Sequence, residues 1–203
     1  CAYLDTYNPK TVFSSIDKLG RYSFENQPKI ILWNLARFAE TFLNLIDSNE
    51  NKSIKIVEEI LNKYNSKFKD NWNIMMSKKL GFELNNNNQN IIKEFLDIMH
   101  VYKLDYTNTF INLENNNLDK KIFSKWYEKY IKYNKNNYKN INPKVIPRNH
   151  IIEKIIKEVY VGEYNNLYEF EKILKKPYDR IDIKKFTSPP LDKERVYETY
   201  CGT

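Results

Sequence analysis

The sequence is short of the residues that most often carry chemistry. Its 203 positions hold four glycines, two cysteines and two histidines. Four scattered glycines exclude a glycine-rich phosphate loop, which needs several within one turn. Cys1 and Cys201 stand at opposite ends, which is neither a secreted-type disulfide framework nor a Cys-x-x-Cys metal knuckle. A reducing, cytoplasmic setting fits that usage. His100 and His150 lack His-Glu-x-x-His spacing, and no Gly-x-Ser-x-Gly elbow is present. Long apolar runs are missing too. The stretch from Ile30 to Phe42 is interrupted by Asn34, Arg37 and Glu40, well short of the roughly 20 residues a membrane span needs.

What is present builds a core. Apolar residues make up 41% of the chain, with 16 Tyr and 11 Phe, enough for one packed domain with a small appendage. The net charge of +7 is unevenly placed: residues 118–203 carry 19 basic against 12 acidic groups, the whole excess. The densest part, Lys120 to Lys144, holds eight lysines interleaved with Trp126, Tyr127, Tyr130, Tyr133 and Tyr138. Lysines neutralise phosphates and aromatics stack on bases, so a helical module binding nucleic acid or another acidic partner is one reading. The three-to-four spacing of Phe123, Trp126, Tyr127 and Tyr130 favours the other, a core stripe with lysines outside it.

Periodicity predicts a mainly α protein. Pro28 opens a helix whose apolar stripe runs Leu32, Leu35, Ala36, Ala39, Phe42, Leu43 and Ile46. Ser53 caps a second helix through Tyr64, and a third runs from Phe68 to Leu80 and stops at Gly81. A fourth carries Ile91, Ile92, Phe95, Leu96 and Met99, followed by a turn at Asp105-Tyr106-Thr107. Further helices start near Asp119 and Asn149 and around Leu167, the last closed by Pro177. Residues 1–27 read as irregular or extended, and the tail from Tyr178 as extended. The chain opens on Cys1 rather than Met with an apolar, aromatic stretch, which carries the expectation that further polypeptide precedes it.

Several motifs are long enough to be specific. Asp5-Thr6-Tyr7-Asn8-Pro9, Val12-Phe13-Ser14-Ser15-Ile16-Asp17, Gly20-Arg21-Tyr22-Ser23-Phe24, Trp33-Asn34-Leu35-Ala36-Arg37, Asp105-Tyr106-Thr107, Asn142 to His150 and Thr199-Tyr200-Cys201-Gly202-Thr203 occur in that order. Together they resemble the selenoprotein O family. That resemblance implies a kinase-like fold and a protein adenylyltransferase, which moves AMP from Mg-ATP onto Ser, Thr or Tyr hydroxyls of protein substrates.

It also implies a division of the chain. Residues 1–27 would be the remainder of the activation segment, 28–177 the helical large lobe with the Pro28 helix buried at its centre, and 178–203 an extended tail. The groups that bind ATP and metal would lie before Cys1, in an N-terminal lobe missing here, so no catalytic, cofactor or metal residue is assigned and the 203 residues alone are expected to be inactive. Arg21 and Tyr22 would anchor the activation segment, and Arg148 would pair with a buried carboxylate or carbonyl. Cys201 takes the position where family members carry selenocysteine or cysteine, which makes Cys201 and Cys1 redox candidates.

Overall fold

The apolar spacing folds into helices almost throughout. The computed structural model describes residues 2–85, 87–133, 140–179 and 184–200. Among them are α1 (Gln27–Glu40), α2 (Leu43–Ile46), α3 (Glu50–Leu61), α4 (Tyr64–Leu80), α5 (Gln89–Val101), α6 (Tyr106–Glu114), α7 (Lys120–Tyr130), α8 (Asn149–Tyr160), α9 (Asn165–Leu174) and α10 (Lys184–Thr187). The described residues contain no strand, and one isolated antiparallel bridge joins Thr6 to Asp105.

The larger core lies between α4, α5, α6 and α7. α5 puts Ile91, Ile92, Phe95, Leu96 and Met99 on one face, all buried. α7 answers with Phe123, Trp126 and Tyr130. Trp126 stacks on Tyr130 at 4.6 Å between ring centroids and meets Phe95 at 4.8 Å. Both polar tips find backbone partners: Trp126 Nε1 donates to Ile91 O at 2.9 Å, and Tyr130 Oη to Leu80 O at 2.7 Å. Phe123, Trp126 and Tyr130 of the basic stretch are therefore spent on packing, while Tyr127 stays exposed. Tyr138 of that stretch falls outside the described residues.

Local signals set the helix ends. Gly81 takes the left-handed conformation at φ +82° and ends α4. Asp105 and Asp119 cap α6 and α7 by accepting from Asn108 N and Lys121 N, each at 2.8 Å. A smaller core gathers Val145 from the stretch before α8 with Ile151, Ile155, Phe170 and Phe186 from α8, α9 and α10. Between the two cores, Glu114 at the end of α6 accepts from Lys144 Nζ at 2.6 Å and Asn140 N at 3.0 Å, tying down the stretch that leads into α8.

Five expectations need correction. The Pro28 helix is not buried: α1 has no buried residue, and Trp33 and Phe38 are 48% and 61% exposed. Its stripe is half covered by α3 and does not join either core. The helix is also broken. Thr41 and Phe42 close back three residues, onto Phe38 O and Ala39 O, and the Thr41 hydroxyl takes the same Phe38 carbonyl, so α2 starts anew. The second helix is capped by Asn49, not Ser53, which lies inside α3 fully buried with its hydroxyl on Asp47 O. The turn at Asp105 is the first turn of α6, and α10 interrupts the tail, burying Phe186.

No helix of the described residues is long and apolar enough to cross a membrane. Replacing Trp126 with Ala empties the centre of the larger core, so urea unfolding should show a loss of about 3–5 kcal/mol. Tyr130→Phe strands only the Leu80 carbonyl, with an expected loss of about 1–2 kcal/mol. Burial by itself would raise the Glu114 carboxyl, but its bonds to Lys144, Asn140 and Asn142 outweigh that and hold it below its ordinary value of 4.5. Its stabilisation is therefore present above that pH and lost as the pH falls. Urea midpoints measured from neutral to acid pH should drop less steeply in Glu114→Gln than in the parent protein.

Candidate functional site

Residues 2–26 form no helix until a single 3₁₀ turn at Phe24–Asn26, so they keep their shape through bonds within the segment and contacts with the helical body. Leu4 and Tyr7 enter the larger core. Tyr106 N donates to Asp5 O at 2.7 Å and Tyr7 N to Leu104 O at 2.8 Å, laying the segment along the corner between α5 and α6.

The strongest tie is ionic. Arg148, at the start of α8, is 1% exposed. Its Nη1 bonds the Asp5 carboxylate and, at 2.7 Å, Asp105 Oδ2, while Nη2 reaches Asp105 Oδ1 at 3.0 Å and Asn108 Oδ1 at 3.3 Å. A buried guanidinium with two carboxylates and an amide has its charge matched and its fork nearly filled. Asp105 serves twice, because the same carboxylate caps α6.

Downstream, the segment folds on itself. Phe24 N donates to Thr11 O and Glu25 N to Pro9 O, each at 2.9 Å. Gly20, at φ +65°, makes the reversal that lets the Asp17 carboxylate accept from both Arg21 N and Tyr22 N at 2.8 Å. The two residues predicted as anchors thus lie together, but their backbones do the anchoring. Both side chains are exposed. The Arg21 guanidinium sits 4.8 Å from the Trp33 ring centroid, which joins the segment to α1. Cys1 and Cys201 lie outside the described residues.

The tail straps the segment from above. Ser15 N donates to Thr199 O at 2.6 Å, Thr199 N to Ser15 Oγ at 3.1 Å, and Thr199 Oγ1 to Phe13 O at 2.7 Å. Sequence reasoning fixed on Cys201 and missed Thr199, as it missed Asp17; an Asp three residues before a glycine was the available sign of the latter. Between segment and tail lies a cavity of about 390 Å³ with His100, Lys103, His150 and Arg195 in its wall. Burial pushes His150 below its ordinary value, only partly opposed by Asp5, and its Nδ1 is buried without a partner.

These residues do not fit a Mg-ATP site. Among the described residues no three His, Cys, Asp or Glu side chains gather around one ion position, and no step of a transfer reaction is built on them. What the arrangement does is hold an irregular segment in one shape against a helical body. Arg148→Met leaves Asp5 and Asp105 facing each other unpaired, so urea unfolding should show a loss of about 3–5 kcal/mol. Asp5→Asn, which keeps the bidentate Asp105 pair, should cost clearly less.

Comparison with known proteins finds relatives along the whole chain. The family described as protein adenylyltransferase SelO matches residues 1–125. A Pelagibacter ubique protein named protein nucleotidyltransferase YdiU is 40% identical over all of this chain and 46% of its own length. Proteins of the same name from Clostridium botulinum (strain 657) and Clostridium perfringens (strain ATCC 13124) are 41% and 37% identical, again over all of this chain and 45% of theirs. The chain thus spans less than half the length of these relatives. With more than half of it inside the family match and its whole length aligned to proteins of that name, the chain belongs to the SelO family of protein adenylyltransferases.

Proposed function

We propose that these 203 residues are the C-terminal part of a protein adenylyltransferase that moves AMP from ATP to Ser, Thr or Tyr hydroxyls of other proteins. The observation that carries this reading is the alignment of the whole chain, at about 40% identity, with proteins named nucleotidyltransferase. The activity belongs to that class; donor, metal and substrate are the reading's own.

In this reading residues 1–27 are the remainder of the activation segment and present the acceptor protein, while residues 28–177 are the helical lobe beneath it. The pinned backbone supports that role, since a presenting surface must hold its shape while binding. ATP and Mg²⁺ bind to residues outside this chain, in the polypeptide that makes up the rest of the relatives' length. That polypeptide also covers the half-exposed apolar face of α1, which a working protein does not leave in water. Alone, the chain transfers nothing. The reading as a nucleic-acid module has less support, because Phe123, Trp126 and Tyr130 are buried and cannot stack on bases.

Incubation with ATP labelled in the α-phosphate tests this. A protein of the relatives' full length containing this sequence should transfer label to protein hydroxyls, and chelation of Mg²⁺ should abolish it. The 203 residues by themselves should transfer none. No transfer by the full-length protein under any acceptor tried, its own hydroxyls included, removes the activity; transfer by the short chain removes the division of labour.

A further inference from the structure

Among the described residues, Lys79 is a half-buried cation without a carboxylate at ion-pair distance. It is on the last turn of α4. Its Nζ lies 4.5 Å from the Phe110 ring centroid and 5.8 Å from that of Tyr106. With Leu4, Phe13 and Phe24 these rings form much of the wall of a cavity of about 270 Å³, separate from the one under the tail. Among the described residues no carboxylate reaches ion-pair distance of Lys79. Glu114, whose field acts on it, is already held by Lys144. The cavity also contains Asn142, which is 2% exposed and whose Oδ1 has no hydrogen-bond partner.

An ammonium in such a place is poorly solvated and only weakly compensated by the ring faces. Burial pushes it down to about 8, with Glu114 opposing. The other titratable groups around it are Tyr106 from α6, Tyr3 from the N-terminal segment and Lys144 from the stretch before α8. A desolvated lysine of this kind is a nucleophile near neutral pH, where a surface lysine is almost wholly protonated.

We propose that Lys79 is a covalent acylation site that takes the acyl group of small acyl phosphates or thioesters. The neutral Nζ attacks the carbonyl carbon. The bond from that carbon to phosphate oxygen, or to sulfur, breaks and its electron pair leaves with phosphate or thiolate. The proton released by the nitrogen goes to solvent. The product is a neutral amide, which removes the uncompensated charge from an apolar wall, and the cavity has room for a short acyl chain. The unpartnered Asn142 oxygen supplies an acceptor in the same cavity for the new amide N–H.

Acetyl phosphate and mass-spectrometric mapping of the intact chain test this. At about pH 7.5 a group titrating near 8 is roughly one-quarter neutral, against about 0.1% for an ordinary lysine, and its lower basicity cancels part of that gain. Lys79 should therefore acetylate about tenfold faster than the exposed Lys55 and Lys69. Its rate should level off above about pH 9 while theirs still climbs, and the advantage should vanish in denaturing urea. A rate at or below that of the exposed lysines overturns the proposal, and so does an advantage that survives unfolding.

Discussion

A guanidinium removed from water must be surrounded by acceptors, and Arg148 finds them on stretches that the sequence keeps far apart. Asp5 comes from the irregular first segment, Asp105 and Asn108 from the start of α6, and the arginine itself from the start of α8. None of these pieces has another equally strong reason to meet. The backbone pairing of Tyr7 with Leu104 and of Tyr106 with Asp5 follows once the charges are joined. The carboxylate that meets Arg148 is also the local cap of α6, accepting from Asn108 N. An ion pair so deep is a specifying contact more than a stabilising one: desolvation consumes most of the attraction, while a misplaced partner would be severely penalised.

Helix positions were legible where a local signal coincided with a stripe. Gly81 and Asp119 mark real ends, and the α5 and α7 stripes face the core they imply. The α6 start was misread because an aspartate followed by Tyr-Thr caps a helix with the same side-chain bond that closes a turn. The larger error, the burial of α1, has a different origin. Periodicity tells which face of a helix is apolar and says nothing of what lies against it. The long-range partners of Arg148 and Thr199 were beyond sequence for the same reason: only the chemistry of the demand is local. For Arg148 that demand, a buried carboxylate or carbonyl, could be named. The hydroxyl of Thr199 had no such singular need, and the neighbouring cysteine drew attention from it.

The candidate site differs from the usual picture of a functional pocket. Its order comes from bonds within the segment and from the body around it: Arg148 and Tyr106 from below, the latter stacked on Tyr7, and Thr199 from above. A stretch whose backbone is bound in this way still presents side chains along its edges. Arg21 and Tyr22 illustrate this: their amides are bound to Asp17 while their side chains remain exposed.

The sequence separations of these contacts carry a further consequence. Arg148 and Asp5 are 143 positions apart, and Thr199 and Ser15 are 184. The helices of the larger core need only short-range closures, so they form while the ends of the chain are still free. Contacts that close such long loops give up the most chain entropy and are made once a framework exists to receive them. The first segment and the tail are then the last parts to settle during folding. By microscopic reversibility they are the first to lift away, with the helical body beneath them intact.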